Sequence, residues 1–361
     1  MTTLTAPKPL RTNSLTAGKL PRVAPWVLLV ASWIAVGAVF AVMLASGASA
    51  RFNMVGTIFF GALLYAVLIS VISRIVEGRR RALDRLVTAL VTCAFLLALL
   101  PLISLAWTTV SNGLARFDGD YFSQSMRNVV GVGGGGLHAI VGTVEITLAA
   151  AVISIPVGLF TAIYLVEYGR GPISRAITFL VDVMTGIPSI VAGLFAYALF
   201  TLVFGPGTQS GVGGAIALSL LMVPVVVRSS EEMLRLVPND LREASYALGV
   251  PKWQTILRIV LPTALAGIVT GFTLAISRVI GETAPLLVVA GYTTSMNYDI
   301  FKGPMMTLPV FVYNQYAHKG VPASAFDERA WTGALTLILI VMALNLIARL
   351  IARIFTPKLS R

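Results

Sequence analysis

The chain has 361 residues, of which 57% are hydrophobic and only 12% charged, and it carries a formal net charge of +12. Soluble domains carry about 25% charged residues, so a soluble enzyme or a nucleic-acid-binding module is excluded for the bulk of the chain, and the excess of cations needs another origin. Two histidines and one cysteine leave no material for a dense metal cluster or for a disulfide within the chain.

Residues 1–24 are polar and basic and read as a disordered cytoplasmic tail. The apolar run from Trp26 to Ala45, followed by Ala45-Ser46-Gly47-Ala48-Ser49-Ala50, imitates a secretory signal with an A-x-A cleavage site. At about 20 residues it exceeds the usual 7–15 of a signal's apolar stretch, so it is expected to remain as a span. Runs of about 20 apolar residues cross a bilayer, and inside hydrocarbon they must be helical because every backbone polar group has to pair internally. Eight such spans are expected, at about 25–45, 55–73, 86–110, 139–166, 177–204, 212–228, 262–290 and 331–355. The first two carry no charge within the membrane and form an added hairpin over 25–85, closed on the inside by Arg79-Arg80-Arg81 and expected to pack outside the remaining spans.

Residues 86–138 supply the next span, with Cys93 in it, and an outside loop. Gly131-Val132-Gly133-Gly134-Gly135-Gly136 matches the dinucleotide pattern G-x-G-x-x-G. That pattern needs a preceding strand in a βαβ unit. Here it precedes a membrane span and reads as a flexible hinge or a contact for a binding protein. His138 and His318 both fall in expected outside loops, which leaves no metal or catalytic pair. No G-x-x-x-x-G-K-[ST] string occurs, so the chain is not expected to hydrolyse ATP.

The later spans carry ionisable residues, which cost about 2.5–3.5 kcal/mol each on insertion scales and therefore face a bundle interior or a polar path. Asp182 lies one turn before Gly186-Ile187-Pro188, a break signal flanked by Thr185 and Ser189. Arg228 ends its span. Gly267 and Gly271 permit close helix contact. Arg278 and Glu282 stand at i, i+4, one helix face, and Pro285 predicts a bend or break just after Glu282. Either the Arg278–Glu282 pair only fixes packing, or it contributes to a polar gate or anion contact. An Arg fork binds oxyanions bidentately and stays charged; Thr185, Ser189 and Thr283 could add hydroxyl donors. Between the last two charged spans lies a basic loop with its own helix signals. Pro238 and Asn239 open it, Asp240 with Glu243 forms the pattern of a capping box, and Gly249 suits a left-handed stop.

With the N-terminus inside, only Arg51, Arg116, Arg127, Lys302, Lys319 and Arg329 of the 27 Lys and Arg residues fall in outside loops, and only Arg278 within a span. That asymmetry is the positive-inside rule, and it accounts for the net charge.

Glu243-Ala244-Ser245, three residues, Gly249, nine residues and Ile259-Val260-Leu261-Pro262 together resemble the loop of binding-protein-dependent ABC importer permeases. Gly186 to Val191, Val223 to Arg228, Leu236-Val237-Pro238 and Gly281-Glu282-Thr283-Ala284-Pro285-Leu286 resemble PstA-type phosphate permeases over roughly residues 86–355. The resemblance implies an all-α polytopic protein. Six core helices would form a type I ABC importer transmembrane domain, its main body at 139–355, preceded by the added hairpin and followed by a tail at 356–361. It implies a bacterial cytoplasmic membrane, both termini cytoplasmic, and a coupling helix at about 238–250. Glu243, Ala244, Ser245, Leu248, Gly249 and Pro262 would then meet the ATPase. Arg228, Arg278, Glu282, Asp182, Thr185, Ser189 and Thr283 would line the substrate path. Implied partners are a second, PstC-like permease chain, a dimer of ATP-binding subunits that holds ATP and Mg, an extracytoplasmic phosphate-binding protein and the bilayer. No cofactor in this chain and no nucleic acid are implied. Ser245 replaces the second Ala of the loop motif, a small-for-small change expected to be silent, and residues 1–85 have no counterpart in the six-span pattern. A permease for another oxyanion or small solute, a transporter driven by ion gradients, and a membrane anchor stay open as alternatives.

Overall fold

The computed structural model describes residues 20–21, 23–47 and 53–355, with the backbone alone for 351–355. Most of the expected N-terminal tail, Ala48-Ser49-Ala50 and the tail at 356–361 lie outside the described residues. All regular structure among the described residues is helical. Seven helices are long and apolar enough to cross a membrane, and a sharply bent pair makes an eighth if it counts as one span.

The chain forms two compact units, residues 1–106 and 107–361. The first holds α1 (Ala24–Ala45), α2 (Met54–Val76) and most of α3 (Arg79–Gly113). Asn53 caps α2 by accepting from the Gly56 amide at 2.8 Å. Gly61 lies so close under Trp33 that a Cβ has no room there, which lets α1 and α2 pack tightly. Gly78, at φ +90°, makes the turn into α3. Arg79-Arg80-Arg81 is the first turn of α3 rather than a loop. Arginine is a good helix former, so the helix starts before its apolar stretch. Glu77 ties the turn together: Arg85 donates to its carboxylate at 2.6 and 2.9 Å, Ser73 at 2.8 Å, and the Leu20 amide at 2.9 Å.

The second unit continues with α4 (Gly119–Ser123), α5 (Leu137–Ile163), α6 (Pro172–Thr185), α7 (Ser189–Phe204) and α8 (Gly211–Arg235). Then come α9 (Asn239–Ala247), α10 (Lys252–Thr255), α11 (Leu261–Val279), α12 (Ala284–Val289), α13 (Leu308–Ala317) and α14 (Ala323–Phe355). π-helical turns extend α5 over Tyr164–Tyr168 and join α10 to α11 over Ile256–Val260. The main core is built from α5, α8, α11 and α13, with Ile146, Leu218, Met222, Val279 and Phe311 all but excluded from solvent. Large apolar side chains cover the outer faces, as expected of helices in lipid.

Two expected spans are redrawn. The stretch 177–204 is cut at Gly186-Ile187-Pro188, and α6 and α7 meet at 108°. The stretch expected at 262–290 runs instead from Lys252 to Val279, because Pro251 opens it early and the chain leaves the helix at Ile280. The Gly267-x-x-x-Gly271 spacing is used: Gly267 packs on Met233 and Gly271 on Ser229, which brings α11 against α8. α13, inside a stretch expected as an outside loop, contributes Leu308, Val310 and Phe311 to the core.

Candidate functional site

Two helix interruptions meet in the second unit. Pro188, with φ −58° and ψ 138°, is the N-cap of α7 and ends the path from α6. Gly281, Glu282 and Thr283 separate α11 from α12, which has Pro285 in its first turn. The broken segments touch: a Cβ at Gly193 of α7 would lie 2.6 Å from Pro285 Cα of α12. Beside them α8 carries an internal proline, Pro224.

Between these parts lies a cavity of about 210 Å³. Met184, Thr185, Ile187 and Ser189 line it from the first break, Leu221, Pro224 and Val225 from α8, and Arg278 and Glu282 from the second break. Four of the expected path residues are therefore brought together: Thr185, Ser189, Arg278 and Glu282. Thr185 donates its hydroxyl back to the Val181 carbonyl at 2.9 Å, so its one donor is already engaged. No ion pair joins Arg278 to Glu282 among the described residues, which corrects the i, i+4 expectation. α11 ends at Val279, so Glu282 sits on the interrupted segment, three residues past the last helical turn, where the spacing rule no longer applies. Arg278 thus presents a guanidinium without an ion-pair partner among the described residues beside the hydroxyl of Ser189, while Thr185 could donate only by leaving the Val181 carbonyl. Chemically this is a donor set for an oxyanion.

Asp182, Arg228 and Thr283 do not line that cavity. Arg228 is engaged on both sides, donating to Asp182 of α6 and, at 2.8 Å, to Glu231 one turn on. Glu231 also accepts from Arg235 at 2.7 Å, and its side chain is only 7% exposed. The chain Asp182–Arg228–Glu231–Arg235 ties the broken span to α8. Thr283 is the N-cap of α12, with no cap bond from its hydroxyl. Glu231 is absent from the residues expected to matter, although Arg-x-x-Glu-x-x-x-Arg at 228, 231 and 235 is a spacing that invites two pairs on one face.

α9 is the second feature. Pro238, held extended, is its N-cap, so Asp240 falls inside the first turn and closes no capping box; it acts on the helix dipole instead. The C-terminus is the expected left-handed stop. Gly249 has φ +74°, its amide donates to Tyr246 at 2.9 Å, and the Val250 amide reaches Ser245 at 3.2 Å, the paired bonds of a Schellman motif. Glu243, Ala244, Leu248 and Gly249 are exposed, as is Pro262 at the second residue of α11. Ser245 points the other way. It is 3% exposed and shares a 2.8 Å hydrogen bond with the buried Thr255, a bond that an Ala at this position would lack. Arg242 anchors the helix: it donates to Glu167 in the π turn after α5 at 3.0 Å, and to the carbonyls of Val237 and Leu234 at 2.7 and 3.0 Å. The exposed face is therefore carried on a base bolted to the π turn after α5, to α8 and to α10.

Two other expectations change. The 131–136 glycine run is not a free hinge: Arg329 donates to the Gly131 and Gly133 carbonyls at 2.7 and 3.0 Å, and Arg116 to Gly134 at 2.7 Å. Arg329 is only 1% exposed and lies in α14, which begins before the expected span. His138 is buried in the first turn of α5 and meets Phe311 edge-on, instead of lying in a loop.

Residues 154–361 match the family of binding-protein-dependent transport system inner membrane components. The phosphate transport system permease protein PstA 1 of Mycobacterium tuberculosis (strain ATCC 25618 / H37Rv) is 48% identical over 291 residues, covering 80% of this chain and 93% of that protein. The phosphate transport system permease protein PstA of Yersinia pestis is 40% identical, covering 76% and 92%. In fold, the chain is similar to the crystal structure of a bacterial alginate ABC transporter in complex with an alginate-pentasaccharide-bound periplasmic protein. There the TM-score is 0.53 at 13% identity, covering 78% of this chain and 98% of that one.

Proposed function

The chain belongs to the family of binding-protein-dependent transport system inner membrane components, and from that premise we propose that it is the permease subunit of an ATP-driven phosphate importer. Its relatives named PstA support phosphate as the substrate. The observation that carries the mechanism is the cavity where two interrupted helices place Arg278, Thr185 and Ser189 around one space. A phosphate arriving there exchanges water for a planar guanidinium fork and the Ser189 hydroxyl, with Thr185 adding a donor if it turns from the Val181 carbonyl. Glu282 keeps the site from becoming a deep cationic trap, since a passage must also release its ion. Arg228, held by Asp182 and Glu231, and Thr283 belong to the same path, the first as a gate whose carboxylate partner an incoming anion can replace.

The chain performs no chemistry itself. ATP and Mg are held by a dimer of ATPase subunits, and α9 docks there through Glu243, Ala244, Leu248 and Gly249. A second permease chain encloses the other half of the path, and an extracytoplasmic binding protein delivers the anion. Both termini are cytoplasmic, and the helices 139–355 form the transport domain.

The deciding experiment is phosphate uptake into vesicles that contain the assembled importer and internal ATP. Arg278→Gln should abolish uptake while assembly is unchanged, because no ion pair is broken. Arg278→Lys should restore only part, keeping charge without the fork. Near-normal uptake by a well-assembled Arg278→Gln, Glu282→Gln double variant would remove the substrate role of Arg278. Uptake that persists without ATP would turn the reading toward a gradient-driven transporter.

A further inference from the structure

We propose that the first compact unit carries a binding site for one anionic phospholipid, with the acyl chains between α1, α2 and α3 and the headgroup phosphate at the arginines that open α3. The site is a cavity of about 900 Å³, at the upper end of the ~300–1,000 Å³ of small-molecule sites. Its charged residues lie at one end only. Leu20, Pro25 and Trp26 at the start of α1, Glu77 after α2, and Arg81, Asp84 and Arg85 at the start of α3 all lie at that end. Past it the walls are uncharged and mainly apolar or aromatic, Trp33 on α1, Ala62, Tyr65 and Ile69 on α2, and Ala89 and Leu96 on α3, with Thr88, Thr92 and Cys93 between them. From Arg81 to Leu96 the wall runs roughly 22 Å along the helix axis, more than the ~15 Å of one hydrocarbon leaflet. The shape is that of a lipid, one charged end and a long, uncharged and mainly apolar body.

Charge selects the headgroup. Glu77 and Asp84 would repel an anion, but Arg85 already neutralises Glu77 through two hydrogen bonds. Arg79, Arg80 and Arg81 are exposed, and none of them forms an ion pair among the described residues. Adjacent Arg74 is exposed too. Basic pockets between membrane helices recognise anionic lipid headgroups in this way, and arginine does so bidentately. A second permease chain or another copy of this chain would have to match an unpaired triple arginine with buried acids, and would gain little from the apolar depth of a cleft.

The test uses the full chain, alone and in the assembled importer, with Trp107, Trp253 and Trp331 changed to Phe so that emission reports Trp26 and Trp33. Reconstituted into phosphatidylcholine vesicles, it receives a minor fraction of brominated phosphatidylglycerol or, in parallel, brominated phosphatidylcholine. Quenching by the anionic lipid should exceed that by the zwitterionic one at equal fraction, in both preparations. Arg79, Arg80 and Arg81 replaced by Gln should lower that selectivity by at least about fivefold. Ala62→Leu, which fills the apolar end, should reduce quenching by both lipids. Equal quenching by the two lipids in the wild type would overturn the proposal. So would loss of quenching in the assembled importer alone, which would assign the cleft to the partner chain. Neither readout depends on transport, so failure here leaves the permease reading standing.

Discussion

Glu231 shows how much one residue can organise without touching a guest. It accepts from Arg228 and Arg235 on its own helix, and Arg228 reaches across to Asp182. Glu231→Gln leaves both arginines with a neutral partner. Burial of the acid argues for a cost near the 3–5 kcal/mol of a broken buried pair; the exposure of Arg235, 66%, and the surviving Asp182 contact discount it to about 1–2 kcal/mol. A lower thermal midpoint of the purified complex should report this, and an unchanged midpoint would show that the network carries no stability. Glu77 offers a pH test in the first unit. Hydrogen bonds from Arg85, above all, lower its carboxyl from the ordinary 4.5 to about 2. The folded state therefore binds this proton less tightly than the unfolded one. Its contribution is complete above about pH 4.5 and is lost as the pH falls from there toward 2. Protection of the α1–α2 amides from hydrogen exchange, taken relative to the unfolded-chain rate at each pH, should fall over that window, and the Glu77→Gln variant should show lower protection with no step there.

At the scale of elements, punctuation is legible in the sequence and packing partners are not. Pro188, Gly249 and Pro285 mark helix ends by backbone chemistry that acts within a few residues, and each marks one in the structure. The Arg278–Glu282 pairing fails for the same reason in reverse, since the break falls at Ile280 and the helical spacing stops with it. α13 escapes the sequence because Leu308-Pro309-Val310-Phe311-Val312 is too short an apolar run to announce a helix; it is held by α5, distant in sequence, where Thr143 accepts from the Leu308 amide and Gly142 makes room for Met306 just ahead of the helix. The hydrogen bond of Ser245 is not legible either, because its partner Thr255 lies in the next element. α9 itself can be tested at its stop. A Cβ at Gly249 would meet open space, so Gly249→Glu clashes with nothing and costs only the strain of a left-handed residue, about 1–2 kcal/mol. Assembly of the permease itself should survive while ATPase co-purification and transport-stimulated hydrolysis fall. If both stay at wild-type levels, α9 is not the docking element.

For the whole molecule, composition and the inside–outside charge asymmetry are enough to read a polytopic helical protein, because hydrocarbon leaves the backbone so few options. How the chain partitions itself is less visible. α3 runs unbroken from Arg79 to Gly113 while the boundary between the two compact units falls at Ala106 and Trp107, within it. The nearest punctuation, Pro101, lies five residues before it and leaves the helix unbroken, so nothing marks the point itself. The partition has a functional consequence. Every residue lining the cavity at the two helix breaks lies in the second unit, as does every residue of α9 and its anchors. α1 and α2 have no charged residue before Arg74 near the end of α2, and neither helix is interrupted. Deleting residues 1–76 should therefore leave phosphate uptake per inserted complex unchanged. The same deletion removes the walls of the lipid cleft supplied by α1 and α2, and should abolish preferential retention of anionic phospholipid. Uptake normalised to inserted protein separates the outcomes: loss of transport with normal insertion and ATPase assembly would place the hairpin in the pathway.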